Sequence, residues 1–121
     1  MAIPVVAVGD TFFSIELENN ASANEFFEKI KKKSIQVEMH DYGNFEKVGD
    51  LPWSITQSDE EITTRPGDLI LYQGNQVAIY YDENTWNFIK LGRLNGTGEE
   101  IKEAFGGKEN IIAEFFAEWT E

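Results

Sequence analysis

The chain has 121 residues, enough for a single domain with one hydrophobic core and too few for a second catalytic domain. Its 22 acidic residues against 10 basic ones give a formal net charge of −12, which excludes nucleic acid and anionic membrane surfaces as expected partners. The absence of cysteine excludes disulfides, thiolate metal sites and cysteine nucleophiles.

Short apolar segments separated by turn residues predict a mainly β protein. Several segments alternate apolar and polar residues with the period of two that a half-buried strand requires. A helical apolar spacing follows Ser22, which forms a capping-box pattern with Glu25. A second helical segment ends at paired glycines. The predicted elements, in chain order, are strands at 3–8 and 11–18, a helix at 22–33, strands at 35–40, 51–55, 69–72, 77–81 and 86–91, a helix at 99–105 and a strand at 111–119.

These elements predict one fold class. Eight short antiparallel strands with regular turn signals are typical of a β-barrel, because closing the sheet removes its exposed edges. We expect a closed eight-stranded antiparallel barrel with two capping helices, in a single domain that covers residues 1–121. Residues 41–51 are predicted as a glycine-rich loop, and 57–64 as a polar one.

The sequence contains no recognisable targeting signal. No apolar run approaches the ~20 residues that span a bilayer. The N-terminus lacks the basic flank and the apolar length of a signal peptide. We therefore expect a soluble, cytoplasmic protein; the sequence does not indicate its oligomeric state.

Familiar catalytic patterns are missing. The single histidine, His40, lies on the polar face of a strand with no serine and acid spaced to form a triad with it. The acidic run at 58–61 lacks the spacing of a calcium loop, and the glycine-rich segment 92–98 matches neither a dinucleotide-binding nor a phosphate-binding loop. We expect no metal site and no cofactor.

Two segments resemble motifs of the cyclophilins, the peptidyl-prolyl isomerases. Residues 45–48 resemble the cyclophilin Phe-His-Arg-Val segment, and residues 75–79 resemble its Ser-Gln-Phe-Phe-Ile strand. A closer resemblance is to small bacterial and archaeal cyclophilin-like proteins. They share Tyr-Gly-x-x-Glu-Lys-x-Gly-x-Leu-Pro at 42–52, Pro-Gly-Asp to Gly-Asn at 66–75 and Leu-Gly-Arg at 91–93. This resemblance implies a closed eight-stranded barrel capped by two helices.

The cyclophilin resemblance also implies positions for an active site. Lys47 matches the arginine that holds the proline carbonyl, although a lysine offers a point charge and no planar fork. Glu46 matches the neighbouring histidine, and Val77 matches the phenylalanine of the proline pocket. Gln76 keeps the family's residue type.

Three functional hypotheses remain, and they leave open whether the protein is an enzyme. The first is a non-catalytic binding module for a peptide or small polar ligand, with Glu46 accepting hydrogen bonds while Lys47 and Arg93 hold an anion. The alternative is a peptidyl-prolyl isomerase with Lys47 as donor. The third is a hydrolase with Glu46 as general base, which requires its pKa to be raised by burial. The predicted ligand-binding residues, which combine aromatics and charges as loops at binding sites do, are Tyr42, Phe45, Glu46, Lys47, Trp53, Gln76 and Arg93.

Overall fold

The structure is a computed structural model that describes residues 1–43, 46–55, 60–63, 66–72, 75–81, 85–107 and 109–119. Antiparallel strands make up most of it, and two helices interrupt them. The elements, in chain order, are β1 (Ala2–Val8), β2 (Thr11–Leu17), α1 (Ala21–Lys32), β3 (Ile35–Tyr42), β4 (Glu46–Asp50), β5 (Glu60–Thr63), β6 (Asp68–Tyr72), β7 (Gln76–Tyr80), β8 (Thr85–Leu94), α2 (Gly98–Phe105) and β9 (Asn110–Trp119).

Eight strands close into a barrel. Around the wall they follow the order β1, β2, β8, β6, β7, β4, β3 and β9, and β9 pairs with β1 again. The ring is closed by β2 and β8, where Ile15 lies opposite Leu94. A ninth strand, β5, pairs with the first half of β8, where Glu60 lies opposite Phe88. The predicted eight-stranded antiparallel barrel is confirmed.

The two helices close opposite ends of the barrel. Phe26 of α1 packs its ring edge against Phe115 of β9, with 5.6 Å between the centroids, near the start of β3. Phe105 of α2 lies 5.9 Å from Phe13, near the β1–β2 turn. Both helices bury an apolar stripe in the same core as the inward side chains of the strands. We refer below to the α1 end and the α2 end of the barrel.

The first helix begins earlier than the sequence predicts. Asn20 is its N-cap residue, and the Asn20 side-chain oxygen accepts a hydrogen bond from the backbone N–H of Ala23 at 2.7 Å. Ser22 lies inside the helix and is buried, so the predicted capping box with Glu25 is wrong. The capping box occurs in α2 instead, where Thr97 and Glu100 satisfy each other's backbone N–H groups.

The structure differs most from the sequence-based prediction in the region after β3. The predicted loop 41–51 contains the end of β3 and all of β4. The predicted strand 51–55 is not a strand, and β5 lies within the predicted polar loop 57–64. The pattern of β4 hides its strand character because the inward positions hold Lys47 and Gly49 rather than large apolar residues.

Gly49 lets β3 and β4 approach each other closely. A Cβ at this position would clash with the Val37 side chain and would lie 2.7 Å from the backbone oxygen of Glu38. We expect Gly49→Ala to lower the free energy of unfolding by about 2 kcal/mol, because the backbone neighbour cannot move away cheaply. Urea unfolding at equilibrium measures this. Gly98→Ala is the matched control, since a Cβ there meets nothing closer than 3.9 Å; an equal loss in both variants would contradict the crowding at Gly49.

Candidate functional site

The strand β4 places Glu46 and Lys47 on opposite sides of the barrel wall. Successive side chains of a strand alternate between the two faces. Lys47 lies opposite Ile79, whose side chain belongs to the barrel core. Glu46 lies opposite Tyr80, which belongs to a second, smaller cluster on the outer face. Glu46 and Lys47, which were predicted to line one ligand site, therefore do not converge on one cavity.

Lys47 is completely buried in the barrel interior near the α2 end. Its Nζ atom donates to Oδ1 of Asp41, its cross-strand partner on β3, at 2.7 Å. The Tyr81 hydroxyl donates to the same Asp41 oxygen. The Lys47 Nζ atom also lies 5.2 Å from the centre of the Tyr81 ring, within cation–π range. The three side chains form one connected polar group inside an apolar core.

This burial corrects two predictions for Lys47. A side chain with an exposed fraction of 0% inside the barrel cannot hold an anion from solvent together with Arg93. It also cannot donate to the amide nitrogen of a peptide bound outside, which is the role that the isomerase hypothesis gave it. Its ion pair with Asp41 gives Lys47 a structural role.

We expect Asp41→Asn to destabilise the protein by about 3 kcal/mol, because it removes the anionic partner of the buried Lys47 charge. The asparagine oxygen still accepts from Tyr81. The double variant Asp41→Asn with Lys47→Met removes that charge and should recover most of the loss. Urea unfolding of the two single variants and the double variant measures the coupling; additive losses would contradict a direct interaction between the two side chains.

Glu46 is almost buried although it lies on the outer face of the wall. Its exposed fraction is 8%, and its cross-strand neighbours are Tyr42 on β3 and Tyr80 on β7. Burial raises the pKa of the Glu46 carboxyl from 4.5 to about 7, a hydrogen bond with the Tyr80 side chain partly opposes that rise, and the negative charge of Asp41 adds to it. The carboxyl can therefore donate or accept a hydrogen bond near neutral pH.

The raised pKa makes stability depend on pH. Because folded Glu46 keeps its proton to higher pH than unfolded Glu46, the folded state binds more protons between about pH 4.5 and 7. The contribution of Glu46 to stability is therefore present below that range, falls as the pH rises through it, and is lost above it.

We expect wild type to lose ~2–3 kcal/mol from this group between pH 5 and pH 8. Glu46→Gln should lack that loss, since the glutamine does not titrate. Urea unfolding measures the free energy of unfolding of both proteins at the two pH values. The difference between their losses from pH 5 to pH 8 is the contribution of Glu46. Parallel pH dependences of the two proteins would show that Glu46 titrates at its ordinary pKa.

The other predicted site residues divide among three places. Tyr42 is exposed beside Glu46 on the outer face. Gln76 lies on the same face as Glu46, but it is paired with Asp50, four residues further along β4 and about 13 Å from Glu46. The Gln76 side-chain amide donates a hydrogen bond to the Asp50 carboxylate at 2.8 Å.

Two other predicted residues lie away from this face. Trp53 lies at the α1 end, where its ring is 6.0 Å from that of Phe26. Arg93 is exposed on β8, between Glu16 and Asp68 and three strands from Glu46. Phe45 lies outside the described residues.

The structure thus brings Tyr42, Glu46 and Gln76 onto one face and separates them from Lys47, Trp53 and Arg93. Tyr80 also lies beside Glu46, a position that its apolar strand does not reveal in the sequence. Asp41 and Tyr81 were missed as the partners of Lys47. Recognising that Asp41 and Lys47 lie on paired strands would have found Asp41, since opposite charges favour cross-strand positions.

The described part of the chain shows neither a cluster of metal ligands nor a helix that could span a membrane. Within the described residues, no three histidine, aspartate or glutamate side chains gather as metal ligands would. In that same part of the chain, neither helix has the length and apolar character to cross a membrane. A surface depression of about 520 Å³ lies at the α2 end, lined by Val8, Gly9, Glu38, Asn110, Ile111 and Ile112, none of which was a predicted site residue.

Comparisons with known proteins assign the family. The model of the cyclophilin-like family matches residues 6–115, and the chain therefore belongs to that family. No curated protein and no solved structure matches the chain. Family membership supports the barrel and leaves the activity open, since one fold hosts many functions.

Proposed function

We propose that the protein is a non-catalytic binding module, which holds a peptide segment or a small polar ligand against the outer face of β3 and β4, at exposed Tyr42 and the neighbouring Glu46. The observation that carries this proposal is Glu46, a carboxyl that is almost buried on the outside of the barrel wall. A buried carboxyl with a raised pKa lowers stability at neutral pH, and such groups concentrate at functional sites.

The surroundings of Glu46 support binding of a ligand with hydrogen-bonding groups. Exposed Tyr42 offers an aromatic face next to the carboxyl, and Val48 is a half-buried apolar residue on the same side of β4. Apolar surface with a few polar groups is typical of ligand sites. Because Lys47 points inward, it cannot help to bind an anion on this face. The proposed ligand therefore donates or accepts hydrogen bonds at Glu46.

The two catalytic alternatives have less support. The isomerase hypothesis assigned the donor to Lys47, which is buried in an ion pair inside the barrel. The raised pKa of Glu46 meets the requirement of the hydrolase hypothesis. However, structural hydrogen-bond networks also perturb pKa values. A general base must in addition lie within hydrogen-bond distance of the substrate proton that it removes.

Two capped peptides, acetyl-Ala-Pro-Ala-amide and acetyl-Ala-Ala-Ala-amide, test the proposal by titration into the ¹⁵N-labelled protein. We expect amide shift changes at the end of β3, the start of β4 and the end of β7. Tyr42→Ala should weaken binding about tenfold, because it removes the aromatic face beside Glu46. The matched control is Phe12→Ala, an equally exposed aromatic on β2, which should bind like wild type.

Shift changes confined to other strands, or none with either peptide, would refute the proposed site. The proline peptide also tests the alternative directly, since exchange peaks between its cis and trans forms would appear if the protein accelerated isomerisation. We expect no such acceleration.

A further inference from the structure

Half of the barrel wall carries no lysine or arginine. The adjacent strands β2, β1, β9 and β3 contain none of the 10 basic residues of the chain. Their outward positions include four acids, namely Glu16 on β2, Glu38 on β3, and Glu114 and Glu118 on β9. We call the outer face of these four strands the acidic wall.

The centre of the acidic wall is apolar. The outward residues of β1 are half-buried Ile3 and Ala7, with Val5 buried between them, where a barrel strand facing water would carry polar residues. Phe12 lies opposite Ala7 and is 65% exposed, and Phe116 lies opposite Val5 on the other side. A contiguous apolar patch rimmed by charged residues marks an interaction surface.

The surface depression lies on the α2 side of this patch. Ile112 and Glu38, which are cross-strand partners on β9 and β3, both line it. Ile112 is 60% exposed there. The depression therefore combines an exposed apolar side chain with a carboxylate.

We propose that the acidic wall docks a cationic amphipathic helix of a partner protein. The barrel is closed, and β1 and β9 each pair on both sides, so neither offers a free strand edge. A partner must therefore arrive with its own backbone hydrogen bonds satisfied, as a helix does. Its apolar stripe covers β1, and its basic residues face the acids of the rim.

A second copy of this chain fits the acidic wall less well. A two-fold interface would place the same patch against itself. The acids of the rim would then face one another without a lysine or arginine from these strands to separate them. The net charge of −12 adds to that repulsion.

The test uses a fluorescein-labelled peptide of about 18 residues that forms an amphipathic helix, with leucines on one face and lysines on the other. Its affinity for the full chain is measured by fluorescence anisotropy. We expect binding that weakens about tenfold in Glu38→Lys and in Ile112→Ser, and that weakens less than about twofold in Glu28→Lys. Glu28, an exposed residue on α1, is the matched control because its replacement changes the net charge by the same amount.

Three outcomes would overturn the proposal. Equal weakening by Glu38→Lys and Glu28→Lys would mean that the peptide senses only the net charge. Unchanged affinity in Ile112→Ser, with its folded state verified by amide NMR dispersion, would remove the apolar anchor. Sedimentation of the chain as a dimer that Phe12→Ser dissociates would assign the acidic wall to a second copy.

Discussion

The alternation of side chains along β4 is the constraint on which the candidate site depends. β4 is held on both sides, by β3 and by β7, so its register cannot slip without breaking both ladders. This register sends Lys47 into the barrel and Glu46 to the outer face. Two residues that are adjacent in the sequence and look like one catalytic pair therefore have separate environments and separate roles.

The interior position of Lys47 has an energetic consequence for the whole barrel. A buried cation is tolerated only with a partner, and Asp41 and Tyr81 supply an anion and an aromatic face. Tyr81 in turn lies near the end of α2, where a Cβ on Gly106 would lie 3.3 Å from its ring. The polar group thus links β3, β4 and the helix that closes this end.

The sequence predicts the barrel better than it predicts the site, and particular residues show why. Strands such as β2 and β3 alternate apolar and polar residues because one face is buried, and that pattern is visible without a structure. β4 lacks the pattern because Lys47 and Gly49 occupy its inward positions. Which of its side chains face inward is therefore visible only from its pairing with β3 and β7. The start of α1 was misplaced for a similar reason, since Asn20 and Ser22 are both good caps and burial of Ser22 decides between them.

Membership of the cyclophilin-like family agrees with the barrel architecture. The orientation of β4 determines which of its predicted site residues faces the barrel interior. Limited acetylation of the native protein with a water-soluble acetyl ester, followed by peptide mass spectrometry, tests that orientation directly. We expect Lys47 to stay unmodified until the protein is unfolded, whereas exposed Lys32 and Lys33 react at once. Modification of Lys47 in the folded protein at the rate of Lys32 and Lys33 would contradict the inward orientation of its side chain.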